Sequence, residues 1–285
     1  MAEHATSTLY TRLGGYDAIA AVADDWLTFE LRFASPLGDE IELLARAGSS
    51  LGGGAKFTCS PEGSLALGFE VRVDTEIDVA PLLHAALDGV SAGLRVWSLT
   101  AASRAALDGS RHARSRFVAF QGTSEPLRVE ELRQLAEEAG WPVKVREQAV
   151  VADLAVADGF FQATLAAEAQ GLRVFTEVQS LTGLVGDSRR ATALALLRLN
   201  GAVRSVAGSI YGSANHEAAR LSVQLPARPD TARLGESLTA LSATCRWAHR
   251  ELAALADPQL AGAYLAMSGF PHHQPVTVTT NTTPP

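Results

Sequence analysis

The chain has 285 residues, enough for two ordinary domains with a core each. Its 47% hydrophobic and 19% charged residues are the profile of a folded chain and exclude a disordered one. A formal charge of −7 and a pI near 5.5 exclude a general binder of nucleic acid or anionic membranes, which needs basic surface. No run approaches the ~18 apolar residues of a membrane helix. Met1–Thr8 lacks the basic start and apolar run of a signal peptide, so a cytoplasmic location is expected. The two cysteines, Cys59 and Cys245, are far apart and show neither disulfide nor zinc spacing.

In chain order, residues 8–25 carry Ile19 and Val22 at helical spacing, and an N-terminal helix is expected within 1–26. The run Leu9-Tyr10-Thr11-Arg12-Leu13-Gly14-Gly15, with Ala18-Ile19 and Asp24-Asp25, also resembles the opening helices of truncated globins. That resemblance implies haem or oxygen binding, one alternative function; an enzyme with an unrecognised site is the other. Residues 27–73 read as a meander of strands at 27–34, 40–47, 55–59 and 64–73, separated by Gly/Pro/Ser turns. A helix over 78–98, extending to about Leu107, follows. The polar stretch 108–124 surrounds the apolar run Phe117-Val118-Ala119-Phe120 and reads as a linker with a boundary near 122.

The second half opens with a helix after Ser124-Glu125-Pro126, inward at Val129, Leu132, Ala136 and Ala139 and closed by Gly140. Strands at 143–156, 160–168 and 172–180 are joined by hairpin-like turns. A helix from Asp187-Ser188 to about Val206 has a wide apolar face. Leu194 and Leu197 broaden its stripe, so it is expected to pack on two sides. A strand at 217–225 precedes a long helix opened by Asp230, with a stripe through Leu234, Leu238, Leu241, Cys245, Ala248, Leu252 and Leu255. A short helix after Asp257-Pro258 and a Thr/Pro-rich tail, 269–285, complete the chain. Shifting the 64–98 region by about 151 to 152 residues lays one strand–helix unit on the other. An internal duplication is the reading.

The expected fold is therefore α+β, with two tandem units, each an antiparallel sheet with helices on one face and a long C-terminal helix. The units are 27–121, shortened, and 122–268. Helix, three strands, helix, strand, long helix is the order over 125–255. It resembles the type III secretion chaperone-like fold, including the YbjN-like proteins of many bacteria. The first unit matches in its strand 64–73 and helix 78–98 and shows only the glycine-rich stretch 48–54 where a middle helix belongs. The resemblance implies a non-enzymatic, dimeric holder of client polypeptides. In one chain it implies an internal pseudo-dimer or a homodimer, with a protein or peptide partner, no cofactor and no catalytic residues.

Candidate chemistry is thin. His216-Glu217-Ala218-Ala219-Arg220 starts like the zinc-protease motif HExxH but lacks the second histidine. Gly52-Gly53-Gly54-Ala55-Lys56 has the wrong order for a phosphate loop and reads as a mobile turn. His272-His273 is an adjacent pair in the tail, not a built metal site. No nucleophile elbow occurs. The expectation is a protein-binding module of chaperone or adaptor type, with Leu194 and Leu197 as partner-binding residues.

Overall fold

The structure, a computed structural model, describes residues 7–13, 15–36, 38, 40–73, 80–108, 126–147, 149–156, 159–168, 171–213 and 215–270. The first unit begins with an antiparallel meander, β1 (Ser7–Leu13), β2 (Tyr16–Ala23) and β3 (Trp26–Pro36). A short helix, α1 (Ile41–Ala47), and a 3-10 turn at Gly48–Ser50 follow. The hairpin β4 (Lys56–Cys59) and β5 (Ser64–Arg72) then enters the sheet with β5 beside β3, giving the order β1-β2-β3-β5-β4. The helix α2 (Ala80–Asp108) packs against β5.

The second unit starts with α3 (Val129–Glu138) and β6 (Val143–Arg146). A meander follows: β7 (Ala149–Val156), β8 (Gly159–Glu168) and β9 (Gly171–Ser180). Next come α4 (Gly186–Ala202), the hairpin β10 (Val206–Ser213) and β11 (His216–Leu225), α5 (Thr231–Leu255) and α6 (Pro258–Met267). The strand order is β6-β7-β8-β9-β11-β10. From β1 to α2 and from β7 to α5 the succession is the same: meander, helix, hairpin, long helix. The fold is α+β with two sheet-plus-helix units, as the periodicity indicated.

Several elements differ from the sequence reading. Residues 8–25 form the β1–β2 hairpin, not a helix, and belong to the first sheet. They therefore do not supply the opening helix that the globin likeness implies. Alanine-rich β2 has good helix propensity, but its pairing with β3 from Asp17 to Ala23 overrides it. Gly15, at φ +90°, makes the turn. Residues 41–47 form a helix rather than a strand. Ile41, Leu44 and Ala45 are buried at helical spacing, while Leu43 faces out. The first unit thus has a short middle helix. The stretch 143–156 is two strands, broken at Glu147, which sits at φ 53°.

The helix expected to run to Val206 stops at Ala202, and 206–213 is a strand. Glycine hides its alternation: a Cβ at Gly208 would lie 3.0 Å from Leu196 Cδ2 and 3.4 Å from Asn200 Oδ1. The glycine-rich stretch is a tight crossing with α2. A Cβ at Gly53 would come within 2.1 Å of the Ala85 carbonyl carbon, and one at Gly89 within 2.1 Å of the Gly52 oxygen. The linker run Phe117–Phe120 and His272-His273 lie outside the described residues.

The two units share one continuous apolar interior. Their contacts are reciprocal. α4 packs on β4 and α1 of the first unit, while α1 packs on β10 of the second. A Cβ at Gly201 would touch Thr58 Cβ at 3.7 Å, and one at Gly48 would touch Ser209 Cβ at 3.5 Å. Each unit's middle helix thereby covers the other's edge strand, β4 or β10.

Candidate functional site

The seam between the units buries several polar and charged groups. Asn200, 2% exposed, bolts the two edge strands together. Its amide donates to the Phe57 carbonyl at 2.9 Å and the Gly208 carbonyl at 3.0 Å, and its Oδ1 accepts from the Gly208 N–H. Lys56 donates to Glu70 Oε2 at 2.8 Å and to the Val203 carbonyl at 2.9 Å. Burial pushes its pKa down, and Glu70 opposes that shift without cancelling it. Glu217 joins Arg46 of α1 at 2.5 Å and Arg189 of α4 at 2.6 Å, and Arg189 also reaches Glu42 at 2.6 Å. The Arg46 hydrogen bond holds the Glu217 carboxyl below its usual range. These groups satisfy otherwise unpaired edge-strand atoms and fix the register of one unit on the other.

Leu194 and Leu197 lie inside this seam, 0% and 1% exposed. The expectation that they bind a partner is therefore corrected. α4 is indeed packed on two sides, but both sides belong to this chain, so neither leucine can meet a client. Their width signal was genuine; its cause is packing of α4 by both units.

The other sequence candidates are placed just as plainly. His216 and Arg220 sit on β11 and share the exposed Glu177, at 3.4 and 3.2 Å. Arg220 also stacks between Tyr211, 3.2 Å from the ring centre, and Phe175, 4.2 Å away. Among the described residues, no three His, Cys, Asp or Glu side chains are grouped to hold a metal. Cys245 is buried among apolar residues, which pushes its thiol up to about 12. A cleft of about 220 Å³ lies between β5, β11 and α5, with Lys56–Glu70 and Arg72–Glu236 as ion pairs in its wall.

Among the described residues, one end of the first sheet is open. All seven residues of β1 are exposed. Leu9 is 63%, Tyr10 74% and Leu13 42% exposed, and Val22 beside them on β2 is 42%. The register shows what this end lacks. Leu9 continues the cross-strand row Ala20, Phe29, Phe69. In the second unit Ala152 continues the row Ala163, Thr176, Leu221. Phe69 and Leu221 are 152 residues apart, so Leu9 and Ala152 hold equivalent places. Ala152 is fully buried, under α3 and beside Val143 of β6. Among the described residues, nothing in the first unit corresponds to α3 or β6.

This patch was missed in the sequence because a hydrophobic residue on a hairpin looks the same whether covered or not. The alternation of Leu9, Thr11 and Leu13 was the available signal. The two free edges also differ. β6 has four residues, Pro142 before it, and Lys144 and Arg146 along it, which blunt an edge. β1 has seven residues and a single charge, Arg12, already paired with Asp17 at 3.1 Å. No known protein family, characterised protein or solved structure matches this chain. Among the described residues, no helix is long and apolar enough to cross a membrane.

Proposed function

We propose that this chain is a non-enzymatic protein-binding module, of chaperone or adaptor type, that holds a segment of a client polypeptide. The observation that carries this reading is the open end of the first sheet. It presents Leu9, Leu13 and Val22 on one face and Tyr10 on the other, beside a seven-residue strand edge that no described residue pairs. Apolar side chains next to free backbone donors and acceptors are what a peptide-capturing sheet offers. The two units act as a pseudo-dimer within one chain: each seals the other's inner edge, which leaves the outer edges for partners.

The test compares wild type with a Leu9→Asp/Val22→Asp variant as bait in a pull-down from bacterial lysate. Both sites face water, so far-UV and near-UV circular dichroism should match wild type. The expected result is a discrete polypeptide captured by wild type and lost by the variant. Equal capture by both would place the client elsewhere and remove this surface from the proposal.

A further inference from the structure

The two copies of the fold say what shape of occupant the open end takes. Building on the protein-binding reading, we infer that the first sheet receives an amphipathic helix, about ten residues long, laid across the inner face of β1 and β2. The second unit is the template. There α3 lies over β6 and β7 beside α5, with Leu132 at 2% and Ala136 at 0% exposure pressed inward. Its outer side is charged. Arg133 bridges Glu130 at 2.6 Å and Glu137 at 2.7 Å, one turn either way. Chain continuing from this helix turns at Gly140, φ +83°, and adds β6 antiparallel to β7.

The matching place on the first sheet is also largely apolar, with aromatic rings in place of small residues. Phe29 stacks on Phe69 at 5.4 Å, and Tyr16 meets Phe33 edge-on at 5.2 Å. These rings floor the inner face, and Leu9, Leu13 and Val22 extend it beyond the reach of α2. Ala20, which is only partly buried, provides a small side chain in the row of Leu9 and Phe29, where a helix can approach closely. A strand following the occupant would pair with the free edge of β1, as β6 pairs with β7. The partner is thus a protein presenting leucine and alanine at a four-residue spacing on one helix face, acids and arginine on the other, and a short extended stretch after it.

The probe is a synthetic peptide of residues 126–146 of this chain, titrated into the isotope-labelled full-length protein. Expected are amide shifts confined to β1 and β2, a gain of peptide helicity, and loss of both in the Leu9→Asp/Val22→Asp variant. A peptide carrying Gln134→Pro keeps the inward side chains but cannot form the helix. It should bind at least about tenfold more weakly. Equal binding of the proline peptide at β1 overturns the helical occupant while leaving the protein-binding reading intact. Shifts at β6 and β7 alone, or no binding because other residues of this chain fill the face, overturn it as well. If neither peptide perturbs β1 and the variant also captures every wild-type partner from lysate, the protein-binding assignment of this surface falls with it.

Discussion

Leu9 and Ala152 occupy equivalent register positions on two copies of one sheet, yet one is 63% exposed and the other 0%. Both strands alternate, and both are the first strand of a meander. What separates them is the α3–β6 segment, present before the second copy and without a counterpart among the described residues of the first. Among the described residues, the sheet occurs twice and this cover once. The apolar row that is covered in the second unit is exposed in the first, and the protein-binding proposal rests on that contrast.

The largest expected effect comes from damaging the covered end. Leu154 of β7 is fully buried. Leu154→Ala should lower the unfolding free energy by about 2–5 kcal/mol in urea titration, through lost burial and a cavity. At the open end, Leu9→Ala should cost under about 0.5 kcal/mol, because that side chain already lies in water. Equal costs at the two positions would mean that β1 is covered after all.

The seam is the next test, since it makes the two copies a single body. Asn200→Ala strands the Gly208 N–H and two carbonyls in an apolar interior. A loss of about 2–4 kcal/mol is expected, read as a lower midpoint with a single transition. Two separate transitions would show that Asn200 couples units able to stand alone. Gly89→Ala forces a methyl onto the Gly52 carbonyl and should cost about 1–3 kcal/mol by the same assay.

The smallest effect is electrostatic. The folded pKa of Glu217 lies below its ordinary value of 4.5, so its contribution is present above that value. The contribution fades as pH falls through the lower, folded value. Wild type should therefore exceed Glu217→Gln in stability at neutral pH, and the gap should narrow as pH falls below 4.5. A gap unchanged down to pH 3 would mean that the Arg46 and Arg189 pairs contribute nothing.

Much of the fold was legible. The strand–helix pairs at 64–72 with 80–108, and 216–225 with 231–255, stood out because each buries one face and keeps strict periodicity. Asp230 was readable as a cap, and its carboxylate does accept the Arg233 N–H at 2.7 Å. Short elements were not. Seven residues at 41–47 satisfy both a twofold and a 3.6-residue period, and in β10 glycines stand where apolar residues would have revealed a strand. The candidate surface was legible only as hydrophobic residues, with no sign of which were covered.

By itself the sequence determined the class of fold, the duplication and the long helices, because these follow from local periodicity and from likeness between segments of the same chain. Tertiary structure decided the rest. It turned residues 8–25 into a hairpin, since pairing with β3 outweighs the helix propensity of alanine. It buried Leu194 and Leu197, since α4 is packed by α6 and β10 of its own unit and by α1 and β4 of the other, none of them local in sequence to the whole stripe. It left Leu9, Leu13 and Val22 open, since exposure depends on which element lies above a face, and no window of sequence contains that neighbour.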